Sequence, residues 1–246
     1  MSIIPIDRSL VERKLAENGL TNVGRASIRE IRTLINGIES ESGVRFIRME
    51  MGIPGLPASK IGIDAEKKAL DGGCASFYPS IEGLPELKSE ISRFVKLFVN
   101  VEVDPSGCIP VTGSTSGSFV TFLVAARMDP SKDTTLFLDP GFPVHKQQLK
   151  VLGLKQQSLD VYEHRGAAMR PALENILSTG RISTILYSNP NNPSWICFTE
   201  EELAIIGELA TKHKVIVMED LAYFTMNRAQ KRAPIHSHSV STRADS

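Results

Sequence analysis

Apolar residues recur along the chain with two different spacings, which predict helices and strands in alternation. Residues 81–98 place apolar side chains at helical spacing and predict an amphipathic helix that is entered just after Gly83 and Pro85. Its apolar positions are Leu84, Leu87, Ile91, Phe94, Val95 and Phe98. Residues 115–128, TSGSFVTFLVAARM, are rich in small and apolar residues and predict a buried helix. The short apolar run GCIPVTG, which stops at Gly113, predicts a strand ahead of that helix.

Four later runs predict strands. They are TTLFLD (134–139), LKQQSLDV (154–161), ISTILYS (182–188) and VIVMED (215–220). Between the last two, Thr199 and Glu202 form a capping-box pattern that opens the predicted helix TEEELAIIGELATKH. Strand, helix and strand in series predict a crossover connection, and the continuous apolar strands indicate burial on both faces. The sequence therefore predicts an α/β fold with a mostly parallel sheet sandwiched by helices.

The pattern is weaker at both ends of the chain. Residues 1–45 predict a helical or extended lead-in, an N-terminal arm or segment of a small domain, and residues 46–226 predict the main α/β domain. Residues 227–246 have almost no apolar residues and no period, which is typical of a disordered or non-native tail.

Composition excludes several classes of protein. The chain of 246 residues contains 28 Lys plus Arg and 28 Asp plus Glu, so no net field recruits nucleic acid or an anionic membrane. No apolar run approaches the roughly 18 residues that a membrane-spanning helix needs, and the N-terminus lacks a signal-peptide core. Three widely spaced cysteines fit neither a disulfide framework nor a zinc cluster. We expect a cytoplasmic protein with reduced thiols and no bound metal.

Polar and aromatic residues follow four of the predicted elements. The segments are GSTSGS (113–118), DPGF (139–142), NPNNPSW (189–195) and EDLAY (219–223). Because an open parallel sheet binds ligands at the carboxyl ends of its strands, we expect the four segments to converge on one crevice. GSTSGS before a helix has two equally favoured interpretations, a phosphate-binding site and a simple turn of small residues. It matches neither the Walker pattern nor the GxGxxG pattern of nucleotide-binding proteins.

Single residues of these segments have alternative interpretations. Asp220, at the end of a buried strand, favours either a cationic ligand such as a protonated ring nitrogen or a helix cap or salt bridge. Phe142 and Tyr223 can each face a flat ligand or fill the core. Pro190 and Pro193 restrict the residues before them, so Asn189 and Asn192 present their amides in a stiff turn.

These segments together resemble the class I/II aminotransferases, which are fold-type I pyridoxal-phosphate enzymes. The resemblance covers roughly residues 45–226 and rests on Asn192-Pro193-Ser194, on Asp220-Leu221-Ala222-Tyr223, and on two upstream stretches, YPSIEGLPELKSEI (78–91) and EMGIPGLPAS (50–59). It implies a homodimer that exchanges an amino group between an amino acid and a 2-oxo acid.

The resemblance also implies a role for each site residue. Asn192 and Tyr223 would share the phenolic oxygen of pyridoxal phosphate, Asp220 would pair with its ring nitrogen, and Phe142 would lie on its face. The cofactor phosphate would be held by main-chain amides around Ser114, Thr115 and Ser116, with Tyr78 reaching the phosphate of the neighbouring subunit. Asn191 and Asn192 together would face the ligand, and Gly52 would lie on the substrate side.

The chain departs from the family in two places. Trp195 stands where glycine is usual, and the Schiff-base lysine expected some tens of residues after Asp220 is missing. The only later lysine, Lys231, lacks a strand context, so no catalytic residue is assigned. We therefore expect a truncated chain, shortened in its gene or by a frameshift near Met226. Two alternatives remain: a non-catalytic module that binds pyridoxal or pyridoxamine phosphate, and a related lyase or decarboxylase.

Overall fold

Four parallel strands form the sheet at the centre of the second half of the chain. This computed structural model describes residues 6–53 and 55–224, and its sheet has the order β2–β1–β3–β4. The strands are β1 Thr134–Asp139, β2 Lys155–Asp160, β3 Ile182–Ser188 and β4 Ile216–Asp220. All three neighbouring pairs are parallel, which confirms the predicted α/β class.

Helices precede, separate and cover the strands. In the described residues they are α1 Arg8–Glu17, α2 Ile28–Ser42, α3 Lys60–Asp71, α4 Pro85–Phe94, α5 Ser114–Met128, α6 Pro143–Leu152, α7 Met169–Leu177 and α8 Glu200–Lys212. No helix of the described residues is both long enough and apolar enough to cross a membrane.

Alternate side chains of the central strands point to opposite faces of the sheet, and each face carries its own core. On one face Leu136 and Ile185 pack with residues of α7 and α8, including Leu173 and Ile206. On the other face a second cluster combines strand residues with residues of α5 and α6: Phe122, Phe137, Leu149 and Leu186. The helices therefore cover both faces, as the continuous apolar strands predict.

Three predicted elements differ from the structure. Residues 108–112 are not a strand, because a strand needs a neighbour to pair with and these residues lie outside the four-stranded sheet. Helix α5 is buried on one side only, since Val120 and Val124 are both 53% exposed. The predicted helix through Phe98 changes at Val95–Val99 into a turn of π-helix.

The capping box predicted before α8 is present and continues into a buried ion pair. Thr199 accepts a hydrogen bond from the Glu202 amide, and the Glu202 carboxylate accepts one from the Thr199 amide at 2.9 Å. The same carboxylate accepts hydrogen bonds from Arg165 at 2.6 and 2.7 Å and from the Gly166 amide at 2.8 Å. The Glu202 side chain is 1% exposed, so these bonds satisfy a charge that water does not reach.

The chain divides into two compact units, Met1–Phe77 and Tyr78–Ser246. In the first unit α1 and α2 share a small core of Leu10, Leu34 and Ile38. The predicted helical or extended lead-in therefore contains two helices that pack against each other. The second unit contains the sheet. The predicted boundary at residue 46 stays a prediction, and the predicted tail, residues 227–246, lies outside the described residues.

Candidate functional site

The carboxyl ends of β1, β3 and β4 meet at one edge of the sheet, and hydrogen bonds tie the turns that follow them. The Asn189 amide donates to the Asp220 carbonyl oxygen at 3.1 Å, which joins the turn after β3 to the end of β4. The Asn191 side chain donates through Nδ2 to the Pro140 carbonyl oxygen at 2.7 Å, which joins the same turn to the one after β1. The structure therefore brings three of the four predicted segments together.

In the Asn-Pro turn, the side-chain amides of Asn189 and Asn191 stabilise the turn and its neighbours, whereas that of Asn192 points toward the segment after β4. Asn191 is 3% exposed, and its Oδ1 accepts hydrogen bonds from the Ser194 hydroxyl and amide at 2.7 and 3.2 Å. Asn189 accepts one from the Phe198 amide at 3.3 Å. The expectation that Asn191 also faces the ligand is therefore wrong, because both ends of its amide bond protein groups.

Asn192 is half-buried and points toward the segment after β4. Its Nδ2 donates to the Tyr223 hydroxyl at 3.1 Å. The two residues predicted to share one ligand oxygen are thus adjacent, and the hydroxyl hydrogen of Tyr223 stays available for a further acceptor.

Asp220 ends β4 with its two carboxylate oxygens in different surroundings. Oδ1 accepts a hydrogen bond from the Ala222 amide at 3.0 Å, and Oδ2 lies 3.6 Å from Nε2 of His145. The Asp220 side chain is 15% exposed and the His145 side chain is 6% exposed. Burial lowers the pKa of His145, and the nearby Asp220 carboxylate opposes this shift without cancelling it. Burial therefore favours the neutral imidazole, and among the described residues the Asp220 carboxylate has no Lys or Arg partner.

His145 was missed in the sequence, although the start of α6 contains the signal that locates it. Pro143 occupies the first turn of α6, so the residues after it are helical and His145 follows Phe142 by three positions. The Phe142 ring lies 5.5 Å from the His145 ring, edge to face at 84°. Phe142 and His145, whose imidazole faces the Asp220 carboxylate, thus both lie at the start of α6.

The start of α5 has the features of an anion site. Gly113, at φ 89° and ψ 151°, has a conformation open almost only to glycine, and no side chain caps the helix. Ser114 and Thr115 are exposed in the first turn, and the Ser116 hydroxyl donates to the Gly113 carbonyl oxygen at 2.8 Å. The Ser116 amide donates to the Gly113 carbonyl oxygen at 3.1 Å. First-turn amides without such a partner point outward with a favourable dipole, so they can bind phosphate.

Gln148 connects this first turn of α5 to α6. Its Nε2 donates to the Thr115 carbonyl oxygen at 2.6 Å, and its Oε1 accepts a hydrogen bond from the Ser118 hydroxyl at 2.8 Å. Gln148 is 8% exposed and was also missed in the sequence; it follows His145 by three positions on the same side of α6. One helix therefore touches the potential anion site, the aromatic ring and the carboxylate.

Comparison with known proteins decides the family. A family model described as aminotransferase class I and II matches residues 50–244. The chain belongs to this family. The matched region reaches beyond residue 226 into the segment predicted as a tail.

Curated aminotransferases match with low identity over half of their own length. Aspartate aminotransferase of Bacillus subtilis is 26% identical over 191 residues, which cover 78% of this chain and 48% of that protein. LL-diaminopimelate aminotransferase of Oleidesulfovibrio alaskensis is 27% identical, with 78% and 49% covered. The solved alanine aminotransferase of Pyrococcus furiosus has a TM-score of 0.68 at 24% identity, covers 84% of this chain and 52% of that one, and shows the shared fold. The chain spans about half the length of the curated relatives that it matches.

Three further residues were singled out in the sequence, namely Tyr78, Gly52 and Lys231. The Tyr78 side chain is fully exposed, and the structure does not bring it to the other predicted residues. Gly52 is exposed in the first unit. Lys231 lies outside the described residues. Within the described part of the chain no group of His, Cys, Asp or Glu side chains has the arrangement of a metal site.

Proposed function

We propose that this chain binds pyridoxal 5′-phosphate and forms the cofactor-binding part of an aminotransferase, which moves an amino group between an amino acid and a 2-oxo acid. Family membership supports the reaction class. The cluster at the sheet edge supports the cofactor, since it combines an uncapped helix start, an aromatic ring, an amide, a phenol and a carboxylate. The homodimer remains part of the proposal.

Each residue has a role in holding the cofactor. The first-turn amides of α5 would bind its phosphate, Phe142 would pack against its ring, and Asn192 with Tyr223 would hydrogen-bond its phenolic oxygen. Asp220 would pair with its ring nitrogen. When bound, the protonated ring supplies an electron sink for chemistry at the substrate amino group.

The observation that carries the proposal is the Asp220 carboxylate, which is 15% exposed and has no Lys or Arg partner in the described residues. A largely buried carboxylate is costly unless a cation or several donors meet it. In the described residues, His145 is the only ion-pair partner of Asp220, and burial lowers the pKa of that imidazole and so favours its neutral form. A protonated pyridine nitrogen beside Oδ2 would supply the missing positive charge.

A second candidate function is non-catalytic binding of pyridoxal or pyridoxamine phosphate. It is supported because the described groups of the cluster, the Phe142 ring, the Asn192 amide, the Tyr223 hydroxyl and the Asp220 carboxylate, would hold the cofactor without a covalent bond. Reduction with borohydride in the presence of pyridoxal phosphate, followed by peptide mass spectrometry, separates the two functions. Stoichiometric labelling of one lysine supports catalysis, and binding without such labelling supports the non-catalytic module.

Titration calorimetry with pyridoxamine phosphate tests the site itself. We expect the wild-type chain to bind it and Asp220→Asn to bind roughly ten- to a hundredfold more weakly, because a charge-assisted hydrogen bond is lost. Asp160→Asn is the matched control, since Asp160 ends β2 and accepts a hydrogen bond from the amide two residues on, as Asp220 does. Failure of the wild-type chain to bind, or equal affinity of Asp220→Asn and wild type, contradicts the proposal.

A further inference from the structure

We propose that Trp195 is a positioning residue that holds the Tyr223 ring so that its hydroxyl remains beside Asn192. This inference rests on the proposed function, because the phenolic oxygen of the cofactor is what Asn192 and Tyr223 would bind. It concerns the position at which the chain departs from the family pattern, where glycine is usual.

The backbone of Trp195 has a conformation that a bulky residue rarely adopts. Its φ of 60° lies in the left-handed region, which favours glycine. The Trp195 amide donates to the Asn191 carbonyl oxygen at 2.8 Å, and the Asn191 amide donates to the Ile196 carbonyl oxygen at 2.9 Å. These two bonds close the turn and set the direction of the indole. A tryptophan in a strained position, where glycine would fit without strain, indicates that its side chain has a use.

The indole contacts the ring whose hydroxyl meets Asn192. The Trp195 and Tyr223 rings lie 6.0 Å apart with an angle of 65° between their planes, an edge-to-face arrangement. The indole is 47% exposed and Tyr223 is half-buried, so the contact lies at the surface, where it excludes water from the part of the phenol ring that it touches. Asn192 therefore fixes the hydroxyl end of Tyr223 and Trp195 fixes its ring.

Two contacts from one turn thus order a residue that follows β4. Asn192 and Trp195 are three positions apart in the Asn-Pro turn, and both reach Tyr223. A phenol that is already ordered loses less conformational freedom when a ligand oxygen binds to it, which increases affinity. The predicted effect of Trp195 therefore depends on the ligand having that oxygen.

The first experiment needs no ligand. Nitration of the apo chain by tetranitromethane, mapped by mass spectrometry, reports the accessibility of each tyrosine ring. We expect Tyr223 to react several-fold faster in Trp195→Gly than in wild type, whereas Trp195→Phe, which keeps a ring, reacts at nearly the wild-type rate. Tyr162, which is 58% exposed, is the internal control. An unchanged Tyr223 rate in Trp195→Gly overturns the inference. Glycine suits the left-handed backbone, so this variant retains its fold.

The second experiment compares two ligands by calorimetry: pyridoxamine phosphate and its analogue that lacks the phenolic oxygen. We expect Trp195→Gly to weaken pyridoxamine phosphate binding roughly threefold to tenfold, in line with the strength of an aromatic pair, and to leave the analogue unaffected. Equal losses for both ligands contradict the positioning role. Failure of the wild-type chain to bind either ligand instead contradicts the proposed function. In that case the nitration rates alone test whether Trp195 holds the Tyr223 ring.

Discussion

His145 and Asp220 face each other in the second unit, with Nε2 of the imidazole 3.6 Å from Oδ2 of the carboxylate. The pair joins the first turn of α6 to the end of β4. Because burial lowers the pKa of His145, the folded chain keeps the imidazole neutral at a pH where an exposed histidine would be partly charged. This relationship makes the stability of the fold dependent on pH.

The free energy of unfolding should decrease as the pH falls below the ordinary histidine pKa of about 6.5. In that range the unfolded chain binds a proton at residue 145 and the folded chain resists it, so protonation favours unfolding. The contribution of His145 is fully present above this pH and is lost as the pH falls toward the lowered pKa of the folded state. Urea unfolding at several pH values between 5 and 8, on the order of one unit apart, measures the slope.

His145→Asn should reduce that slope, because asparagine does not titrate. His164→Asn is the control, since the His164 ring contacts a carbonyl oxygen, that of Asp160, rather than a carboxylate. A slope that His145→Asn leaves unchanged would show that other groups account for the acid sensitivity.

Asn192 and Tyr223 should act as a coupled pair in ligand binding. Asn192→Ala and Tyr223→Phe are each expected to weaken binding of pyridoxamine phosphate roughly three- to tenfold, the effect of one neutral hydrogen bond. The double variant should lose less than the product of the two effects, because Asn192 also holds the Tyr223 hydroxyl at 3.1 Å. Calorimetric affinities of the four proteins give the coupling. Strictly multiplicative losses would mean that the two residues bind the ligand independently.

Gln148→Leu should selectively impair phosphate binding. The substitution keeps the size of the side chain but removes its bond to the Thr115 carbonyl oxygen, so the first turn of α5 loses its tie to α6. We expect weaker binding of pyridoxamine phosphate and unchanged binding of pyridoxamine, which has no phosphate. The same loss for both ligands would place the effect on the ring site or the fold instead.

Arg165→Met should destabilise the second unit more than any comparable surface substitution. It leaves the buried Glu202 carboxylate without its cation, and such a change costs about 3 kcal/mol or more. Arg170→Met is the matched control, because Arg170 pairs with the exposed Glu208, and exposed pairs contribute less than about 1 kcal/mol. Urea unfolding of both variants provides the comparison. Equal losses of unfolding free energy would contradict the assignment of Glu202 as a buried charge.

The site residues that directly follow strands could be predicted from the sequence, whereas those that reach the site only through the packing of a helix could not. The apolar runs that became β1, β3 and β4 have clear ends, so Asp220 and Asn192 could be placed at one sheet edge from the parallel-strand rule alone. His145 and Gln148 occupy α6, where only the packing of the helix against α5 and β4 determines which groups they meet.

Local patterns also mislead where the partner of an element is not close in the chain. Residues 108–112 have the composition of a strand, but strand formation requires a neighbouring strand, which sequence spacing does not reveal. Conversely, the capping box of Thr199 and Glu202 is complete within four residues and was predictable in full. The ion pair between Glu202 and Arg165 depends on the packing of α8 and could not be predicted from the sequence.

The most direct test of the central claim is the protonation state of the ligand ring beside Asp220. Pyridoxamine phosphate labelled with ¹⁵N in its ring can be followed by NMR at a pH where the free ligand has lost the ring proton. We predict the chemical shift of a protonated ring nitrogen when the ligand is bound to the wild-type chain, and the shift of a neutral one with Asp220→Asn. A neutral ring nitrogen in the wild-type complex would contradict the account.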